Sequence, residues 1–184
     1  MADADPGVTV ESIYAAITAR LKEQFPAFVT IEFDRDDESE NIPTPALLLH
    51  IADTDPAPEE DNGTGQWPTR VRFEAHVVLT NKTEHSAREI RKAAFAVATF
   101  LHLRRWPGLV ADPATVIACE PDEFAPNLNR FRVWKVEWTQ LMHLGDDAWS
   151  GDGLGETPES LYSWAPTVGL SHETDYLRAD GCPR

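Results

Sequence analysis

Phe131-Arg-Val-Trp-Lys-Val-Glu-Trp-Thr-Gln-Leu-Met-His-Leu144 is the stretch whose reading decides the fold of this chain. Trp134, Val136, Trp138, Met142 and Leu144 share one face at period two. Phe131, Val133, Lys135, Glu137, Thr139, Leu141 and His143 share the other, so the run reads as a strand with one face fit for a core. At a rise of about 3.3 Å per residue such a strand spans ~46 Å. A domain of this size has a radius of gyration near ~15 Å and a diameter near ~40 Å. The strand must therefore bend through a bulge within its own sheet or overhang the domain.

The rest of the sequence supplies partners for this strand. Val8 to Phe25 reads as a helix, with Val10, Ile13, Ile17 and Leu21 at helical spacing, Thr9 or Ser12 as N-cap and Pro26 as its stop. Residues 28–33 alternate and read as a short strand, followed by an acidic run over 34–40 expected to be a solvated loop. Residues 45–51 are nearly all apolar and suit a central strand. From Ala52 to Pro68 the composition turns to Asp, Pro, Glu, Gly and Thr and predicts a long loop without regular structure. Thr69 to Asn81 alternates again, with Val71, Phe73, Ala75, Val77 and Leu79 inward.

Ser86-Ala-Arg-Glu89 has the pattern of a capping box opening a second helix, whose Ile90, Ala93, Ala94, Val97, Ala98 and Leu101 form a small-residue stripe closed by Pro107-Gly108. Residues 114–120 make a short strand before the Trp-rich one. The order predicts an α+β domain over 1–145, a mainly antiparallel sheet with two helices on one side. Residues 146–184 mix Gly, Pro, Asp and Glu with isolated aromatics and predict an extended C-terminal arm.

The chain has 184 residues, 31 acidic against 16 basic, for a formal net charge of -15. That balance repels phosphate backbones and argues against broad nucleic-acid binding. Residues 70–135 nevertheless hold eleven of the sixteen basic residues and only seven acidic ones, a division that could draw copies of the chain together. Arg70, Arg72, Arg88, Arg91 and Lys92 are the candidate subunit-interface residues, with acidic loops of a neighbour as their partners. Trp134 and Trp138 are the candidate core residues.

Chemistry is hard to place. Cys119 and Cys182 give neither a disulfide framework nor metal spacing, which makes a cytosolic chain the default expectation. No two of the six histidines stand at i, i+4; Glu74 and His76 share an outward strand face, a spacing that surfaces often produce. The glycines of Gly151-Asp-Gly-Leu-Gly155 follow no strand, and no serine sits in a nucleophile elbow. We expect no catalytic residue, cofactor, metal ion or membrane span.

The element order, with residues 10–25, 70–81, 90–103 and the closing Val133-Trp-Lys-Val-Glu-Trp-Thr-Gln140, resembles the tail terminator (tail completion) proteins of long-tailed bacteriophages over residues 8–145. The resemblance implies a small α+β subunit that forms a homo-oligomeric ring, a hexamer, on the finished tail tube. It implies partners in the tail tube protein and the head-side connector or another neck protein, with DNA passing through the lumen unbound. The expected location is the neck of the virion, after synthesis in the host cytoplasm. A head-closure or other neck protein is a related alternative, and a small α+β enzyme or ligand-binding domain is an alternative of another class.

Overall fold

The computed structural model describes residues 7–35, 42–122 and 130–148, together with the backbone of 161–162 and 177–178. The chain divides into two units, Met1–Ala148 and Trp149–Arg184. The first is the expected α+β domain. Helix α1 (Val10–Gln24) precedes strands β1 (Thr30–Phe33), β2 (Ala46–Pro56) and β3 (Trp67–Thr80); helix α2 (Ser86–Leu101) precedes β4 (Thr115–Pro121) and β5 (Phe131–Leu144). The sheet runs in the order β1-β2-β3-β5-β4. Only the β1–β2 pair is parallel. In the second unit, β6 (Leu161–Tyr162) pairs antiparallel with β7 (Leu177–Arg178). Most of the predicted C-terminal arm, and residues 36–40 of the acidic run, lie outside the described residues.

Strand β5 extends from Phe131 to Leu144 and pairs residue for residue with β3, from Thr80↔Phe131 to Trp67↔Leu144. Its register is unbroken. The irregularities fall in the strands flanking this pair, between Ile51 and Asp53 of β2 against β3 and between Val116 and Ala118 of β4 against β5. Two long strands that alternate in phase need no bulge against each other, and the shorter strands beside them absorb the mismatch.

One sheet face carries the main core. Val71, Phe73, Ala75, Val77, Val136, Trp138 and Met142 meet Ile13, Ile17 and Leu21 of α1 and Ile90, Ala94, Val97 and Leu101 of α2. Ala94 lets the second helix approach the sheet closely. The opposite face holds a smaller apolar cluster at one end, built from Ala46, Val78 and Val133 with Leu48 and Phe131 against it.

Three local expectations are corrected. Residues 52–68 are not an irregular loop: β2 continues to Pro56, a single 3-10 turn covers Pro58–Glu60, and β3 begins at Trp67. Exposed on both faces, residues 52–56 show no alternation, yet main-chain pairing of Asp53–Pro56 with Thr69–Arg72 holds them. Thr69 Oγ1 donates to the Asp55 carbonyl over 3.0 Å, and the following turn is fixed by Gly63 N–H donating to Asp61 Oδ1 over 2.8 Å. Second, Ser86 does not cap α2. The N-cap is His85, in left-handed conformation at φ 53° without a side-chain bond, while the Ser86 hydroxyl accepts from Arg132 Nε over 2.9 Å and Glu89 pairs with Lys92. Third, Val10 is 44% exposed: it starts α1 on the outward side, and the reciprocal Thr9–Ser12 capping box sets the entry.

The end of α2 brings an unforeseen buried group. The helix stops at Leu101, and the turn that follows, with Leu103 at φ 60°, carries Trp106 into the core. Trp106 Nε1 donates to Gln140 Oε1 over 2.7 Å, and Gln140 Nε2 donates to the Arg104 and Asp112 carbonyls over 3.3 and 2.5 Å. A buried amide with its hydrogen-bonding groups engaged ties this loop to β5.

Candidate functional site

The outer face of α2 is the first candidate surface. Sixteen helical residues with one apolar stripe leave Arg88, Arg91 and Lys92 pointing to solvent, a turn apart. Lys92 donates to Glu89 over 2.7 Å, a bond that holds the Glu89 carboxyl below its usual pKa. Phe95 lies one turn on from Arg91 and Lys92 and is 54% exposed. Its ring meets Trp134 edge to face at 5.7 Å. Helix α2 packs mainly on β5, with β3 and β4 on either side, so this basic face with its aromatic anchor lies over the half of the sheet away from β1 and β2.

The second surface is the far half of β2 and the turn after it. Strand β1 pairs with β2 only from Ala46 to Leu49, which leaves the outer edge beyond Leu49 without a strand neighbour among the described residues. Asp53, Asp55, Glu59, Glu60 and Asp61 are all exposed there, and Trp67 nearby is 47% exposed. Acidic side chains and Pro56 discourage promiscuous edge pairing while leaving the edge open to a chosen partner.

The five interface candidates therefore separate. Arg88, Arg91 and Lys92 share the helix face. Arg70 and Arg72 instead stand on β3, on the sheet side turned away from the helices, opposite Asp55 and Asp53 in register. Arg72 Nη2 lies 3.1 Å from Asp53 Oδ2. These two arginines moderate the acidic edge of their own subunit and form no common surface with α2. Strand alternation and helix position dictate that split, which a charge count along the sequence cannot show. Arg104 and Arg105 are likewise spent locally: Arg104 lies over the Phe100 ring at 4.3 Å, and Arg105 Nη1 donates to the Ala111 carbonyl over 2.8 Å.

Of the two core candidates, Trp138 is fully buried, stacked on Phe73 at 5.0 Å. Trp134 packs against the same core, as expected, but is only half-buried. It occupies the helix face of β5, but its cover there includes Phe95, itself exposed.

The sheet face away from the helices carries a polar array. Lys135 hydrogen-bonds Glu137 and lies 3.9 Å from Glu74 and 3.8 Å from Glu120. The hydrogen bond to Glu137, with the surrounding carboxylates, raises the Lys135 ammonium pKa above its usual value; the same bond lowers the Glu137 carboxyl pKa. His50 joins Glu74 and His76 on this face through strand pairing. Cys119 is half-buried, and burial pushes its thiol pKa up, against a role as a ready nucleophile. Compared with known proteins, the chain matches no protein-family model and no curated sequence.

Proposed function

We propose that this chain is a structural virion subunit that closes the tail tube of a long-tailed phage as a ring, ending tube growth and forming the joint to the head-side connector. The observation that carries the reading is the placement of opposite charge across one small α+β subunit. Asp53, Asp55, Glu59, Glu60 and Asp61 line the β2 edge and the turn after it, and Arg88, Arg91 and Lys92 line the helix that packs over β5. Repeated head to tail, such a subunit presents its basic helix to the acidic edge of the next, and a rotation that closes gives a ring. The tail-terminator resemblance supplies the hexamer.

Charge would orient this contact more than hold it, since exposed ion pairs contribute only ~0–1 kcal/mol each. Phe95 beside the basic residues and Trp67 beside the acidic ones offer the apolar area that a stable contact needs. The large acidic excess left over suits a lumen through which DNA passes without sticking.

Light scattering across protein concentration and salt, alone and with tail tubes, tests the proposal. We expect salt-sensitive rings that cap tubes, weakened by reversing Arg88, Arg91 and Lys92 to Glu and little changed by reversing Arg70. A strict monomer that neither caps tubes nor limits their length refutes it.

A further inference from the structure

We propose that the sheet face away from the helices binds a divalent first-row transition-metal ion, with zinc as the representative, through His50, Glu74 and His76. Two rules of strand geometry build the set. Glu74 and His76 are two apart on β3 and so project on the same face, and antiparallel pairing sets His50 of β2 directly opposite Glu74. His50 is then the diagonal neighbour of His76, and the two rings stack at 5.1 Å.

The donor atoms converge on one point. Glu74 Oε2 lies 3.1 Å from His50 Nε2 and 3.5 Å from His76 Nε2, and all three donors fall within 4.8 Å of one another. A tetrahedral ion with bonds of about 2.0–2.2 Å needs donors about 3.3–3.6 Å apart. Two of the three separations are near that spacing already, and the third is within 4.8 Å.

The hydrogen-bond pattern calls for a cation. His76 Nδ1 sits 2.9 Å from Asp122 Oδ2, so its N–H donates to that carboxylate and fixes the ring. A neutral His76 then turns its Nε2 lone pair toward the Glu74 oxygen, acceptor against acceptor. A metal ion between them resolves the conflict, and the Asp122–His76 bond is the outer-shell contact that metal-bound imidazoles ordinarily make. The alternative resolution, a proton on Nε2, makes the cluster an imidazolium–carboxylate pair with no metal.

The surroundings suit the first outcome. Among the described residues, Glu74, Glu120, Glu137 and Asp122 stand here against Lys135 and Arg72; Lys135 faces the other Glu74 oxygen and leaves Oε2 to the histidines, and Arg72 lies 3.1 Å from Asp53. Leu48, Val78 and Val133 wall the same depression, of about 470 Å³, and lower its polarity. His50 and His76 remain partly exposed, which leaves a way in for an ion and room for water as a further ligand. Two imidazoles and one carboxylate favour zinc and its neighbours over magnesium or calcium, which take oxygen donors.

The test is zinc titration calorimetry on the full chain stripped with chelator, with imidazole-nitrogen NMR on the same sample. We expect one zinc per chain, bound Nε2 signals for His50 and His76, and His85, His102 and His143 unmoved. His50→Ala, His76→Ala and Glu74→Gln should each weaken binding at least tenfold, and Asp122→Ala by roughly 10- to 100-fold. Magnesium in large excess should not compete. Glu74→Gln keeps the shape of the side chain, and the NMR readout needs no variant, so a misfolded alanine variant leaves the test intact. Zinc binding unchanged in His50→Ala and Glu74→Gln, effective competition by magnesium, or no zinc uptake with both His76 nitrogens protonated would overturn the proposal.

Discussion

Trp138→Phe should leave the domain about as stable as it is, whereas Trp106→Phe should cost several kcal/mol. Both indoles are buried, at 0% and 2% exposure, so burial alone predicts the same loss. Trimming indole to phenyl gives up on the order of 40 Å² of buried surface, about 1 kcal/mol at ~25 cal/mol per Å². A void of about 40 Å³ adds about 1 kcal/mol more at ~24 cal/mol per Å³. The two sites part at the indole N–H. Trp138 Nε1 has no hydrogen-bond partner among the described residues, so its removal recovers about 1–3 kcal/mol and offsets the packing loss. Phe at this position also keeps a ring on Phe73. Trp106 Nε1 donates to Gln140 Oε1, and its removal strands a buried acceptor, adding about 1–3 kcal/mol to the cost. The variants should therefore differ by about 4 kcal/mol, or roughly 8–16 °C in Tm at about 2–4 °C per kcal/mol for a chain of this length. Urea unfolding of both variants at neutral pH, with equal m-values, measures the difference. A Trp138→Phe variant as destabilised as Trp106→Phe would refute the reasoning, because packing would then outweigh the unpaired donor.

Thr9→Ala removes the capping box of α1 and should cost about 1 kcal/mol in the same urea assay, with Ser12→Ala no worse. Glu137 has its carboxyl pKa lowered by its bond to Lys135, so this group's contribution to stability is full above the ordinary glutamate pKa and is lost as pH falls through the lowered one. Glu137→Gln should flatten that acid limb in melts taken from about pH 6 down to pH 2. Tyr14, stacked on Phe33, is pushed up to about 12, mainly by burial and then by its hydrogen bond to Asp34. Ultraviolet titration should show a late phenolate that Tyr14→Phe abolishes. Because the folded pKa is raised, this group's contribution is full below the ordinary tyrosine pKa and is lost as pH rises through about 12.

Alternation made the long strands legible. Val71 to Leu79 place apolar side chains at every second position, Trp134 to Met142 do so except at Gln140, and the two strands pair in phase over fourteen residues. The far half of β2 gave no such signal. Asp53, Thr54, Asp55 and Pro56 are exposed, and what orders them is the backbone ladder to β3, which leaves no mark on side-chain polarity. The same gap separates the two halves of the candidate metal site. Glu74 and His76 can be placed on one face from their spacing alone, but His50 lies twenty-four residues before Glu74, and only the β2–β3 register sets it opposite. The bulge lies just beyond this part of the ladder. His50↔Glu74 and Ile51↔Phe73 are the last pairs before the shift at Asp53, so the histidine stands on the regular part of the ladder that continues the apolar core pairing. A bulge three residues earlier, with Leu49 as the extra residue, would set His50 opposite Ala75 on the helix side and leave Glu74 and His76 as the ordinary surface pair that the sequence suggests.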